Sequence, residues 1–222
     1  MFRRMKVLYL RVRSDGITAA IRWLITTVYH RTIPQKQVIW CTDITEINPE
    51  GFSIPDNLKI KYFYSIDQVD KEDLKTLTKY GGTELMGSAA SSIIHDRFAK
   101  GAVLWLLKEN GKLAGYRWTI VNKHMLPPYV PHTESDVHII GTEVFPGFRD
   151  RELFQIFIKY SNITLKNEGF KRNYSETYLY NKRAVKAILK IGARKIGIAR
   201  RFSFFGKNVV IWYDMTGKTD FL

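Results

Sequence analysis

A single cysteine, Cys41, stands in the 222 residues, so no disulfide can close within the chain. That excludes the stapled secreted scaffolds and fits a reducing, cytoplasmic compartment. With no His or acid arranged around it, Cys41 reads as a small buried apolar residue rather than a nucleophile. No run of about 18 uncharged apolar residues occurs, so no segment reads as a membrane-spanning helix. The start, Met1 to Arg13, carries positive charge without an uninterrupted apolar stretch behind it, which is not the pattern of a secretory signal. The five histidines lack metal-ligand spacing, and no metal site is expected. Internal repeats and low-complexity tracts are absent as well.

Acidic residues are missing from particular places. Residues 1–31 hold seven Arg or Lys and one Asp, and residues 182–207 hold nine Arg or Lys and no acid, within a net charge of +14. The rest of the chain is close to neutral. Two basic blocks on a neutral body point to anionic partners at two places, although any single charge in them also serves as an ordinary solvated residue. The interleaved aromatics Phe202, Phe204 and Phe205 raise nucleic-acid binding, but no recognised nucleic-acid motif accompanies them, and their alternation fits a strand face better.

What is present is a globular composition, 45% apolar and 14% aromatic, ample for a full core. Ile17, Ala20, Ile21, Leu24, Ile25 and Val28 recur with helical spacing after an N-cap at Ser14-Asp15-Gly16, which predicts an amphipathic helix ending before Pro34. With Trp23 and the upstream arginines, this helix suits a peripheral contact with an anionic membrane surface such as the inner face; packing on its own protein is the equal alternative. Gln37 to Asp43 is strand-like. A polar linker over residues 46–57 divides an extension, 1–56, from a main domain, 57–222.

In the main domain Leu58 to Ser65 alternates as a strand, and a helix is expected over residues 66–80. Gly81-Gly-Thr-Glu84 breaks it, and a second helix is expected over residues 85–100. Asn110-Gly111 between two apolar runs predicts a hairpin. A loop with three prolines, residues 125–135, precedes a strand from Asp136. Then come a long helix, a strand from Lys171 to Tyr178, a helix from Asn181 to Ile191 and two final strands. The fold class expected is α/β, a mixed and mostly antiparallel sheet of about seven strands flanked by helices, with an N-terminal helix-strand extension.

The order of elements over roughly residues 58–215 resembles the GNAT superfamily of acyltransferases. The resemblance is carried by Val144-Phe-Pro146 ending a strand, by the loop from Arg149 and by Asn181-x-x-Ala184 with Lys190-x-Gly192-Ala193. It implies an N-acyltransferase moving an acetyl or other acyl group from coenzyme A to a primary amine, on a small molecule or a sugar, an amino sugar of a cell-surface precursor being one acceptor. Arg149, Asp150, Arg151, Glu152, Leu153 and Phe154 would wrap the cofactor pyrophosphate at a helix N-terminus, with Asn181, Lys182 and Arg183 beside it. Glu152 and Phe154 stand where the family pattern has small residues, which leaves three readings open: an acyl-coenzyme A site, a site for another donor such as an acyl carrier protein, or a non-catalytic module binding an anionic partner. Counting back from Val144 puts His138 at the place of the family's general base, with Glu143 as alternative; odd spacing on a regular strand would set the two on opposite faces. The Val144 N–H would polarise the thioester carbonyl. The family's thiolate acid falls on Ile188, and Tyr180 or Tyr178 would substitute.

Overall fold

Asn110 and Gly111 adopt φ values of 50° and 77°, the two left-handed residues of a type I′ turn, and close the expected hairpin. The computed structural model describes residues 36–80, 90–121, 129–149, 151–204 and 207–215. Within them run β1 (Gln37–Asp43), β2 (Leu58–Phe63), α1 (Lys71–Tyr80), α2 (Ala90–Ala99), β3 (Ala102–Glu109), β4 (Lys112–Val121), β5 (Asp136–Val144), α3 (Leu153–Asn167), β6 (Arg172–Tyr178), α4 (Lys182–Lys190), β7 (Arg194–Phe204) and β8 (Lys207–Asp214). The amphipathic helix expected over residues 17–30 and the break expected at Gly81–Glu84 lie outside the described residues, as do Pro127 and Asp150.

All eight strands form one sheet in the order β2-β3-β4-β5-β6-β1-β7-β8, antiparallel throughout except for the β5–β6 pair. The expected count of seven omits β1, assigned to an extension ending at residue 56. In the structure β1 is inserted between β6 and β7 and hydrogen-bonds to both. The physical reason is that Val38-Ile-Trp-Cys41 is apolar on both faces and buried to 3% exposure or less, as an interior strand must be.

The helix expected over residues 66–80 is interrupted. A 3-10 turn at Ile66–Gln68 comes first, held by Gln68 Oε1, which accepts from the amides of Tyr64 and Ser65 at 2.8 and 3.3 Å; α1 begins at Lys71. Side-chain alternation then builds two apolar layers. Leu104, Leu106, Tyr116, Trp118 and Ile120 pack with Leu77 of α1 and Ile94 of α2 on one face. Trp105, Leu107, Val137 and Val144 pack with Leu153, Phe157 and Leu165 of α3 on the other. Further along that sheet α4 covers Val38, Trp40 and Ala193. Cys41 is fully buried and burial raises its thiol to about 11, so it stays protonated.

Candidate active site

The site is organised by the one parallel pair. Its N-terminal ends are fastened by a buried ion pair, Arg172 Nε to Asp136 Oδ1 at 2.8 Å, and Asp136 also accepts from the Thr133 amide at 2.6 Å. Pairing runs only from Asp136 with Arg172 to Ile139 with Ser175. Beyond that point β5 stays on β4 as far as Val144, while β6 stays on β1 as far as Tyr178. The strands part, and a cleft of about 240 Å³ opens between them, walled by Phe154 and Ile158 of α3 and by Ala184 and Ile188 of α4.

A bulge sits where the strands part. Gly141 pairs with Trp118 and Ile139 with Thr119, which leaves Ile140 as an extra residue on β5. The parity argument therefore fails. His138 lies opposite Ile120 and Glu143 opposite Tyr116, and both partners belong to the α1/α2 face, so His138 and Glu143 share that face. The Tyr116 hydroxyl donates to Glu143 Oε2 at 3.5 Å. Burial raises the Glu143 pKa, opposed by Arg149 and by the Tyr116 hydrogen bond. His138 behaves differently: burial, with the charges of His132 and Arg201, lowers it to about 3. It remains neutral near pH 7 and cannot titrate as a base there. Its Nε2 lies 3.6 Å from Glu176 Oε1, a cleft carboxylate raised by burial and opposed by Arg201.

The expected pyrophosphate loop has a specific conformation. Glu152 is the N-cap of α3 at φ 58° and ψ 4°, in the left-handed region, and its side chain makes no capping bond. This is the backbone a glycine would supply, carried by a glutamate. Leu153 is buried in the core and Phe154 lines the cleft. Both arginines are committed to neighbours. Arg149 donates from Nε to the Val144 carbonyl at 2.9 Å and from Nη2 to Glu143 Oε1 at 3.2 Å; Arg151 pairs with Glu109 at 2.8 Å.

On the opposite wall Asn181 caps α4, its Oδ1 accepting from the Ala184 amide at 3.2 Å, which gives the Asn-x-x-Ala motif a local structural explanation. Lys182 and Arg183 are exposed on the first turn of that helix. Tyr180 is exposed and stacks on Tyr178 with ring centroids 5.3 Å apart, and Tyr178 lines the cleft. Burial, then Tyr178, raises the Tyr180 pKa, so the phenol keeps its proton.

Sequence reasoning missed Arg117, Thr142, Asn162, Asn173 and Glu176. Arg117 and Asn162 are 1% and 2% exposed, and Arg117, Thr142, Asn173 and Glu176 line the cleft. The available signal for Arg117 was a cation inside the apolar run Leu113 to Val121.

No protein-family profile and no curated protein sequence matches this chain. Solved structures do. A Drosophila protein aligns with a TM-score of 0.53 at 11% identity over 83% of this chain and 52% of its own, so the chain spans about half that protein's length. An acetyltransferase of the GNAT family from Colwellia psychrerythraea aligns at 0.53 and 11% identity, over 82% of this chain and 56% of that one. AAC(6')-Iy, solved with the bisubstrate analogue CoA-S-monomethyl-acetylneamine, aligns at 0.51 and 17% identity, over 68% of this chain and 97% of its own. The chain has the GNAT fold.

Proposed function

We propose that this chain is an acyltransferase that moves an acyl group from a coenzyme A thioester to an amine. The observation that carries the reading is the parting of β5 from β6 after Ile139 and Ser175, which opens a cleft between α3 and α4 at the middle of the sheet. The thioester arm lies in that cleft, with its carbonyl at the Val144 N–H. The phosphates lie at the N-terminus of α3, where Arg149 and Arg151 exchange their carboxylate partners for phosphate oxygens and Lys182 or Arg183 approaches from α4. The amine enters from the α1/α2 face. Glu143 takes its proton, because burial raises its pKa and makes it a better base than an exposed carboxylate. Neutral His138 orients the amine, and Tyr180, with its proton retained, supplies the leaving thiolate. An amine on a small molecule or an amino sugar fits this face.

The non-catalytic alternative draws on Glu152 and Ile188, which depart from the family pattern at the phosphate loop and the thiolate acid. Calorimetric titration with acetyl-coenzyme A separates the readings. Micromolar binding in the wild type, lost in the Arg149→Ala, Arg151→Ala double variant, is expected, and thioester turnover with an amine panel should follow. A wild type that binds no coenzyme A thioester would sink the proposal.

A further inference from the structure

Transfer of a plain acetyl group leaves Arg117 without a use. It lies in the middle of β4, 1% exposed, facing the cleft. Its Nη2 donates to Asn162 Oδ1 at 3.2 Å, and the same oxygen accepts from Asn173 Nδ2 at 2.9 Å. That partner is neutral and already shared. Nε and Nη1 of Arg117 have no hydrogen-bond partner, and neither has Thr142 Oγ1, which belongs to the residue directly opposite Arg117 in the sheet. No carboxylate pairs with Arg117 among the described residues. Glu176, the acid among the described cleft-lining residues, is held by Arg201 at 3.5 Å and faces His138. Burial without a counter-charge lowers the Arg117 pKa to about 9, which still leaves a cation at neutral pH.

A buried cation with two open donors is expensive to keep unless something completes it. The completing group must be an acceptor, preferably an anion, and must reach the cleft. We infer that the cleft takes an acyl donor whose chain ends in a carboxylate, a short dicarboxylic monothioester such as succinyl or glutaryl, with Arg117 as the residue that sets this specificity. The inference rests on the acyl-donor reading of the cleft. Register supports the chain length: Arg117 and Thr142 lie two strand positions from Gly115 and Val144 on the same face, about 7 Å along the sheet. A succinyl or glutaryl chain spans that interval from a carbonyl held at the Val144 N–H.

The chemistry at the thioester is unchanged. The amine nitrogen bonds to the carbonyl carbon, the C–S bond breaks, the amine proton passes to Glu143 and the thiolate sulfur takes a proton. The distal carboxylate passes intact into the amide product.

The test is titration of the full chain with coenzyme A and its acetyl, butyryl and succinyl thioesters, for the wild type, Arg117→Met and Arg117→Lys. In the wild type the succinyl thioester should bind about tenfold or more tightly than the butyryl one, the scale of hydrogen bonds to a charged group. Arg117→Met should equalise the two, and Arg117→Lys should keep part of the preference. The unfolding midpoint of Arg117→Met should not fall, since an apolar chain of similar volume replaces an unpaired buried charge. If coenzyme A and its acetyl thioester bind but succinyl gains nothing over butyryl, this inference is overturned and the donor reading stands. If no coenzyme A species binds, both fall.

Discussion

Replacing Glu152 by glycine and, separately, by alanine isolates two effects that the α3 N-terminus combines. The residue holds φ 58° and ψ 4° with an exposed side chain. A left-handed backbone costs a non-glycine residue about 1–2 kcal/mol. Glycine relieves that strain, but its freer unfolded chain returns about 0.4–1 kcal/mol, and losing an anion from the first turn of a helix removes about 0.3–1 kcal/mol more. The Glu152→Gly variant should therefore unfold within about 1 kcal/mol of the wild type. Glu152→Ala keeps the strain and loses the anion, so it should be destabilised by about 0.3–1 kcal/mol. Affinity for coenzyme A follows a different rule. A carboxylate about 5 Å from a phosphate in water repels it by roughly 0.8 kcal/mol per charge pair. Two pyrophosphate charges make this about 1.5 kcal/mol, and screening at physiological salt takes away about half. Both variants should then bind coenzyme A about three- to tenfold more tightly, with the gain shrinking as salt rises. Urea denaturation and calorimetry at low and high salt read the two effects on the same samples. Unchanged affinity in both variants would refute the placement of phosphate at this helix end.

Glu143→Gln should lower kcat for thioester turnover while leaving the dissociation constant of the donor unchanged; a loss confined to donor binding would remove Glu143 from the proton transfer. Arg149→Ala should move the acid limb of the pH profile of kcat/KM for the donor, which reports the free enzyme, upward: there Arg149 opposes the burial that raises the Glu143 pKa, so without it the carboxylate protonates, and activity falls, at a higher pH. A limb that moves down would contradict this sign. His138→Gln should leave the limb where it is, because burial, with His132 and Arg201 alongside, holds His138 near 3, outside the working range. Gly115→Ala would set a Cβ 2.5 Å from the Glu143 carbonyl oxygen and 3.2 Å from Val144 Cα. The β4 and β5 backbones must separate beside Val144, costing about 1–3 kcal/mol in urea unfolding and lowering turnover. Wild-type stability in that variant would show the contact to be soft.

Elements with strong local signals were legible: the Asn-Gly turn, the apolar runs on either side of it, and the strand, helix, strand and helix from Asp136 to Lys190. These rest on side-chain periodicity and turn chemistry, which neighbours in sequence decide. The position of β1 was not legible in this way. Its double-sided apolar run shows that it must be covered, but nothing in Gln37–Asp43 says that the gap between β6 and β7, more than 120 residues away in sequence, receives it. Arg151 is a similar case, since its partner Glu109 stands 42 residues back along the chain. Glu152 shows the reverse. The family pattern puts a small residue there, and the structure retains the left-handed backbone that makes glycine favourable while the sequence supplies a carboxylate.

The bulge at Ile140 explains why candidate site residues were found while their arrangement was misjudged. A strict alternation from Asp136 to Val144 separates His138 from Glu143 by face; one inserted residue reverses that relation for everything after it. The same residue follows Ile139, the last on β5 to pair with β6. One irregularity thus marks the point where the cleft opens and turns Glu143 toward the α1/α2 face, while Thr142 stays opposite Arg117 on the α3 face. In the proposed reaction, an acyl donor seated on one face and an amine arriving from the other would meet at a strand segment whose consecutive residues, Thr142, Glu143 and Val144, would face the chain end, the amine proton and the thioester carbonyl in turn. A regular strand would not bring Glu143 and His138 to one face. The extra residue is what allows a single strand to carry both halves of the proposed reaction.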